Sequence, residues 1–250
     1  MADLRFDGRV VIITGAGGGL GRAHALELAR RGAHVLVNDL GGALDGSGSS
    51  KSAADTVVDE ITAVGGIAVA NHESVATPDG GQAIVQAALD AFGRVDVLVN
   101  NAGILRDKAF HKMDHTMIDP VIDVHLKGAL YVSQPALRLM REQGYGRIIN
   151  TSSASGLFGN FGQANYGAAK AGLAVLTRVL SIEGAHHGIK VNAIAPIATT
   201  RMTGDTLGDL AATVSPESVP PLLAYLCHAD SSATGPLCPL AGRPLAGTLV

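Results

Sequence analysis

The chain contains 250 residues, of which 47% are hydrophobic and 16% are charged. This composition is sufficient for a large core and excludes an intrinsically disordered chain, which needs low hydrophobicity and high net charge. The formal net charge of −3 also argues against a nucleic-acid-binding protein, because such proteins usually carry an excess of basic residues.

Short β-branched runs alternate with helical patterns along the first hundred residues. The predicted elements are, in chain order, a strand over Arg9–Thr14, a helix over Leu20–Arg30, a strand over His34–Asn38, a glycine- and serine-rich loop over Leu40–Ser50, a helix over Ser52–Val64, a strand over Ile67–Ala70, a helix over Gln82–Phe92 and a strand over Val95–Val99.

The same alternation continues in the second half. The predicted elements are a helix over Val121–Glu142 with Pro120 in its first turn and a kink at Pro135, a strand over Arg147–Thr151, a helix over Ala164–His186, a strand over Lys190–Ile194, a short helix over Leu222–Cys227 and a strand over Leu237–Leu240. Alternating strands and helices form right-handed βαβ units. We therefore expect a single α/β domain over residues 1–250, a doubly wound (Rossmann) parallel sheet of about seven strands with helices on both faces.

Composition also bears on the location of the protein. Two cysteines, Cys227 and Cys238, do not form a disulfide framework, and no Cys/His spacing suggests a metal site. The first residues carry charges rather than an apolar run, and no apolar stretch reaches the roughly 18 residues of a transmembrane helix. We therefore expect a cytoplasmic protein that binds no metal, membrane or nucleic acid.

Glycine is over-represented, with 32 residues, and several lie in one turn between the first strand and the first helix. In the segment Thr14–Gly21, the glycines allow a tight turn and the approach of backbone N–H groups to a pyrophosphate, and the helix N-terminus adds partial positive charge. This position supports a nucleotide-binding turn over a glycine turn without a ligand. The residues expected to contact the cofactor here are Gly15, Gly19, Leu20 and Gly21.

Asp39 ends the second strand and bears on the choice of cofactor. A carboxylate at this position accepts both hydroxyls of an adenosine ribose and repels a 2′-phosphate. The adjacent positions that would carry a basic residue in an NADP-binding site are Gly18 and Leu40, and neither is basic. The sequence therefore predicts NAD over NADP, the alternative being that Asp39 only caps the strand.

Three residues of the second half form a candidate catalytic group. Tyr166 and Lys170 are four residues apart at the start of a helix, so they share one face, and Ser153 follows the fifth strand. A tyrosine is a poor base at neutral pH, but a neighbouring ammonium lowers its pKa. The phenolate would take a proton from a substrate hydroxyl, while the serine holds the substrate oxygen.

These residues together resemble the short-chain dehydrogenase/reductases over nearly the whole chain. Thr14–Gly21 resembles their cofactor turn, Asn100–Gly103 their Asn-Asn-Ala-Gly segment, and Ser153, Tyr166 and Lys170 their catalytic residues. The resemblance implies a homodimer or homotetramer. It also implies that Lys170 and Tyr166 contact the cofactor, with Ser74 and Val75 flanking the adenine, and Asn101, Ala102, Gly103, Pro196, Ile197 and Thr199 beside the nicotinamide.

Longer stretches resemble the branch of this family that acts on (3R)-hydroxyacyl-CoA. They are Asn38–Gly42, Asn101–Asp107 and Gly159–Tyr166. The loop Leu40–Ser50 also fits that branch, and the alternative is a plain flexible connection.

Two departures from the usual family pattern concern the site. His125 stands where most members carry an asparagine that is thought to hold a relay water, and the hydroxyacyl-CoA branch also has histidine there. We expect His125 either to anchor that water or to be an ordinary buried histidine. The second departure is Pro196-Ile197 in place of the usual proline-glycine, which should narrow that wall of the pocket.

The resemblance implies NAD-dependent oxidation of a (3R)-3-hydroxyacyl-CoA to a 3-ketoacyl-CoA. The alternatives are a hydroxysteroid or another alcohol as the substrate, NADPH-dependent reduction of a ketoacyl carrier, and a catalytically idle cofactor-binding scaffold. Asp39 disfavours the reduction, and the intact catalytic residues disfavour the scaffold. The substrate pocket is expected to include Ile104, Leu105, Phe158 and Arg201–Thr213.

Overall fold

The computed structural model describes residues 4–197, 216–235 and 237–241, and the seven strands in these ranges join one parallel sheet. The strands are β1 (Val10–Thr14), β2 (His34–Asn38), β3 (Ile67–Asn71), β4 (Val97–Asn100), β5 (Gly146–Thr151), β6 (Ile189–Ile197) and β7 (Leu237–Ala241). The α-helices are α1 (Gly19–Arg30), α2 (Ser52–Ala63), α3 (Pro78–Phe92), α4 (His115–Ile122), α5 (Gly128–Gln143), α6 (Ala154–Phe158), α7 (Ala164–Gly184) and α8 (Pro220–Cys227).

The strand order is β3-β2-β1-β4-β5-β6-β7, so β1 lies between strands that are distant in the sequence. Ile12 of β1 pairs with Leu36 of β2 on one side and with Leu98 of β4 on the other. The order reverses between β1 and β4, which opens a crevice at their carboxyl ends where ligands bind in such sheets. The doubly wound α/β fold predicted from the sequence is confirmed.

The core occupies both faces of the sheet, because successive side chains of a strand point to opposite faces. Val11 and Ile13 of β1 pack into the cluster that includes residues of α1, α2 and α8. Val10 and Ile12 pack into the cluster that includes residues of α3 and α5. Both sets are fully or almost fully buried, which explains why the strands are continuous hydrophobic runs rather than alternating ones.

The helical region before β5 begins earlier than predicted. The sequence predicted a helix over Val121–Glu142 with Pro120 in its first turn, but α4 begins at His115 and contains Pro120 in its interior. The Asp114 carboxylate caps α4 by accepting a hydrogen bond from the Met117 N–H at 3.2 Å. The prediction was wrong because it placed Pro120 in the first turn and did not consider Asp114, a residue type that is strongly preferred at the N-cap.

The long predicted helix is also divided. Residues Asp123–Lys127 form a π-helical turn, and α5 then runs through Pro135 without interruption. A π-helical turn inside a helix is frequently found at a functional site. Here it carries His125, the candidate for anchoring a relay water.

Two further helices differ from the predictions. Helix α3 begins at Pro78 rather than Gln82, because the Thr77 hydroxyl accepts a hydrogen bond from the Gly80 N–H at 3.1 Å and Pro78 occupies the first turn. The short helix α6 was not predicted. Within the described ranges, no helix combines the length and the apolar character that crossing a membrane requires.

Candidate active site

A cavity of about 450 Å³ lies at the carboxyl ends of β1, β2, β4 and β5. Its size is within the range of about 300–1,000 Å³ that is typical of small-molecule sites. The predicted site residues that line it are Gly15, Gly19, Leu20, Asp39, Ser74, Val75, Asn101, Ala102, Gly103, Ile104, His125, Ser153, Tyr166, Lys170 and Pro196. The fold therefore brings the predicted cofactor and catalytic residues to one place.

The glycine turn presents backbone donors to this cavity. Gly18 is the N-cap residue of α1 and provides no side-chain hydrogen bond, so the first N–H groups of the helix have no capping side chain. Gly18, Gly19 and Leu20 all line the cavity. These donors and the partial positive charge of the helix N-terminus fit the pyrophosphate of a dinucleotide.

The turn is held against β4 by polar contacts. The Asn101 side-chain amide donates to the carbonyl oxygens of Thr14 and Gly15, each at 3.0 Å. The Thr14 hydroxyl accepts hydrogen bonds from the N–H groups of Asn101 and Ala102. A Cβ on Gly21 would lie 2.6 Å from the Asn101 amide nitrogen, so Gly21 packs beneath the turn and does not line the cavity. Asn101 and Gly21 therefore support the turn from below.

Asp39 is also fixed by the turn. One carboxylate oxygen accepts the Gly17 N–H and the other accepts the Gly41 N–H, each at 2.7 Å. A Cβ on Gly17 would lie 2.9 Å from the Asp39 carboxylate, which explains the need for glycine there. Each carboxylate oxygen can accept further hydrogen bonds, so Asp39 fits a ribose with two free hydroxyls. The residues present therefore fit a nicotinamide dinucleotide.

The three candidate catalytic residues lie on adjacent elements. Ser153 is the N-cap residue of α6, and Tyr166 and Lys170 occupy successive turns of α7. The Lys170 ammonium donates a hydrogen bond to the Thr151 carbonyl oxygen and lies 5.5 Å from the centroid of the Tyr166 ring. Lys170 is therefore oriented by the end of β5 and faces the ring of Tyr166.

Burial dominates the electrostatics of this group. Burial raises the pKa of Tyr166, and a hydrogen bond with the Ser153 side chain opposes this increase. Burial lowers the pKa of Lys170 to about 7. The sequence predicted that Lys170 would lower the pKa of Tyr166, but in the structure burial raises it, and the opposing effect comes from the Ser153 hydrogen bond.

His125 is a buried, neutral imidazole that contacts Tyr166. The two rings meet edge to face with 5.1 Å between centroids, and His125 Nε2 lies 3.0 Å from the Ile104 nitrogen. Burial and the nearby Lys170 hold the pKa of His125 well below its usual value. Nδ1 has no hydrogen-bond partner among the described residues. A Cβ on Gly103 would lie 3.1 Å from each ring nitrogen, so glycine is required there.

The loop Leu40–Ser50 forms part of the cavity wall, which sequence reasoning did not assign. Leu40, Gly42, Ala43, Leu44 and Gly46 line the cavity. The Leu44 carbonyl accepts a hydrogen bond from the Leu105 N–H at 2.9 Å, so the middle of the loop is attached to the segment after β4. The interpretation as a plain flexible connection is therefore not supported.

Some predicted residues do not join the cavity. Leu105 does not line it, and Phe158 is 82% exposed, so the place of both in a substrate pocket remains a prediction. Ile197 ends β6, whereas Thr199 and Arg201–Thr213 lie outside the described residues. Cavity residues that the sequence did not indicate are Glu73, Ala76, Pro120, Asp123, Val124, Thr151 and Ser152.

Comparisons with known proteins agree with this geometry. A family model described as short chain dehydrogenase matches residues 9–209. Peroxisomal multifunctional enzyme type 2 of Mus musculus is 54% identical over 235 residues, covering 94% of this chain and 32% of that protein. Peroxisomal hydratase-dehydrogenase-epimerase of Saccharomyces cerevisiae is 53% identical over 240 residues, covering 96% of this chain and 26% of that protein.

A solved structure supports the same relationship. The crystal structure of a short chain dehydrogenase from Mycobacterium avium superposes with a TM-score of 0.84 and 48% identity, covering 98% of this chain and 85% of that chain. The chain spans a third or less of the length of the mouse and yeast relatives. These matches agree with the narrower resemblance seen in the sequence.

Proposed function

Because the chain belongs to the short-chain dehydrogenase family, we propose that it is an NAD-dependent oxidoreductase that converts a (3R)-3-hydroxyacyl-CoA to a 3-ketoacyl-CoA. One observation carries this proposal: the cavity that contains the catalytic group Ser153, Tyr166 and Lys170 is also lined by the glycine turn and Asp39. The acyl-CoA substrate is supported by the stretches that resemble the hydroxyacyl-CoA branch and by the similarity to the multifunctional enzymes.

The proposed chemistry is a coupled loss of hydride and proton from a secondary alcohol. Nicotinamide, when bound, supplies the acceptor for the hydride. The Tyr166 phenolate takes the proton of the substrate hydroxyl, and the Ser153 hydroxyl donates a hydrogen bond to the same substrate oxygen. Lys170, when protonated, stabilises the phenolate by its charge and so opposes the effect of burial on the pKa of Tyr166. The His125 ring packs against the Tyr166 ring in an edge-to-face contact.

Asp39 supports NAD as the acceptor. Its carboxylate is held by two backbone N–H groups at the nucleotide-binding turn, where a 2′-phosphate would meet a negative charge. The other expectations from the sequence belong to the same proposal: a cytoplasmic homodimer or homotetramer that acts on a small molecule and binds no metal.

The proposal is tested with a panel of substrates and both cofactors. The purified enzyme is incubated with 3-hydroxyacyl-CoAs of both configurations and with hydroxysteroids, each with NAD and with NADP, and the reduced nicotinamide is followed by absorbance. We expect turnover of the (3R)-acyl-CoA with NAD. If no acyl-CoA were turned over, the assignment of the substrate would be wrong. An equal or higher kcat/KM with NADP would contradict the assignment of NAD as the cofactor.

A further inference from the structure

We propose that Arg106 is a positioning residue that joins the loop Leu40–Ser50 to the helix that carries Tyr166, and thereby sets the affinity for the cofactor. The proposal rests on the proposed use of NAD. Arg106 does not line the cavity itself, so it would act through the segments that it connects.

The side chain of Arg106 connects two elements that are distant in the sequence. Its Nε atom donates a hydrogen bond to the Asp45 carbonyl oxygen at 2.7 Å, in the middle of the loop. A second guanidinium nitrogen donates to the Thr116 carbonyl oxygen, in the first turn of α4. That carbonyl would ordinarily accept the N–H of residue 120, but Pro120 has none. Pro120 therefore leaves the Thr116 oxygen available to Arg106.

The backbone around Arg106 extends the connection to the catalytic helix. The Arg106 carbonyl accepts a hydrogen bond from the Asn165 side-chain amide at 3.0 Å, and the same amide donates to the Met117 carbonyl at 2.8 Å. The Asn165 side-chain oxygen accepts the Tyr166 N–H at 2.8 Å. A continuous series of hydrogen bonds therefore runs from the loop through Arg106 and Asn165 to Tyr166.

The loop makes two more contacts with the same segment. The Leu105 N–H donates to the Leu44 carbonyl, and a Cβ on Gly46 would lie 2.9 Å from the Ile104 side chain. Leu44, Gly46 and Ile104 line the cavity. Since the loop follows Asp39 directly, holding it in place preorganises the wall next to the ribose carboxylate, and preorganisation lowers the cost of binding.

Arginine suits this role for a geometric reason. Its planar guanidinium presents several N–H donors in fixed directions, so one side chain reaches two carbonyl oxygens on different elements. The lysine ammonium is a compact point charge on a flexible stem, and we expect Arg106→Lys to retain only one of the two contacts. The lysine variant should therefore lie between the wild type and Arg106→Ala.

The test combines hydrogen exchange with steady-state kinetics. In Arg106→Ala, we expect the amides of Ser47, Ser50 and Leu105 to exchange faster, and the KM and Kd for NAD to rise about tenfold, the size of effect expected for lost hydrogen bonds to a charged group. We expect kcat to change less than about twofold, because the backbone link from Arg106 to Asn165 remains. Lys108→Ala is the matched control, since Lys108 is an exposed cation in the same segment.

The outcomes separate this proposal from the proposed function. The role of Arg106 would be overturned if Arg106→Ala left hydrogen exchange or the Kd for NAD unchanged. It would also be overturned if Lys108→Ala changed exchange and Kd as much as Arg106→Ala does. If Arg106→Ala does not fold, the same comparison is made with Arg106→Lys, in which unchanged exchange or an unchanged Kd would likewise overturn the role of Arg106. A wild-type enzyme without NAD turnover would overturn the proposed function, while the exchange rates would still decide whether Arg106 holds the loop.

Discussion

At the scale of single residues, Tyr166 combines a partly buried phenol with contacts from Ser153, Lys170 and His125. Replacing Tyr166 with phenylalanine keeps the ring and its packing and removes the group proposed to take the substrate proton. We expect Tyr166→Phe to lower kcat by about 10²–10⁴-fold, the usual contribution of a positioned acid or base. Turnover of the best substrate from the panel measures this.

Tyr131 provides the control for this variant. It lies on α5 and does not line the cavity, so Tyr131→Phe should leave kcat close to that of the wild type. If Tyr166→Phe retained full turnover with every productive substrate, the proposed proton transfer would be wrong.

The His125 ring occupies the space that a side chain at position 103 would need. A Cβ at position 103 would meet the His125 ring, which is buried and cannot move without losing its contact with Ile104. We expect Gly103→Ala to reduce the free energy of unfolding by about 1–3 kcal/mol, as is usual for overpacking. Denaturant unfolding measures it.

A double-mutant cycle isolates that contact. Adding His125→Ala removes the ring that the new methyl group would meet, so the penalty of Gly103→Ala should shrink in the His125→Ala background. Strict additivity of the two changes would show that the ring is not the cause.

At the scale of elements, helix α3 depends on a cap that the sequence reasoning passed over. The Thr77 hydroxyl accepts the Gly80 N–H, and the Gly81 Cα lies so close to α5 that a Cβ would be 2.5 Å from the Tyr131 carbonyl oxygen. We expect Thr77→Ala to cost about 1 kcal/mol of stability, the typical effect of removing an N-cap side chain.

Thermal or denaturant unfolding of Thr77→Ala and Thr77→Ser measures this cost. Serine keeps the hydroxyl acceptor and should remain close to the wild type. Equal losses in the two variants would assign the effect to the threonine methyl group instead of the cap.

The same elements show what the sequence can and cannot predict. Strands such as β1 and β2 were predicted closely because a buried parallel strand is a short hydrophobic run with a clear end. The starts of α3 and α4 were missed because Gly80, Gly81 and Pro120 suggest breaks when considered alone. The close packing of Gly81 on α5 is not visible in local spacing, whereas the caps Thr77 and Asp114 are local signals that the sequence reasoning did not use.

In the candidate active site too, local features were predicted and contacts between distant segments were not. Motif residues such as Asp39 and Tyr166 were predicted because their chemistry and their position after a strand or at a helix start are local properties. The contribution of the loop Leu40–Ser50 to the cavity wall was not predicted, because it depends on contacts with Leu105 and Arg106 across the crevice. The exposure of Phe158 was not predicted either, because it follows from the unpredicted helix α6.

At the scale of the whole molecule, buried histidines make stability depend on pH. Burial lowers the pKa of His24 on α1 to about 3, and its ring nitrogens have no partners among the described residues. The unfolded chain therefore binds a proton at this residue below about pH 6.5 while the folded chain does not, so stability falls as the pH falls.

For one such histidine, the free energy of unfolding is expected to fall by about 1.4 kcal/mol per pH unit as the pH decreases from about 6.5 to 3. We expect His24→Leu, which does not titrate, to reduce the slope of unfolding free energy against pH over this window. His186→Leu is the control, because His186 is exposed. An unchanged slope in His24→Leu would contradict the assignment.

The placement of β1 between β2 and β4 also has a kinetic consequence. The contacts that fix the glycine turn, from Asn101 to Thr14 and Gly15, join residues more than 80 positions apart in the chain. Pairing of β1 with β2 closes a short segment, but the crevice exists only after β4 has reached the other side of β1, and such distant closure is slow. Nucleotide binding should therefore appear as a late event in refolding, after most of the helical signal has been recovered.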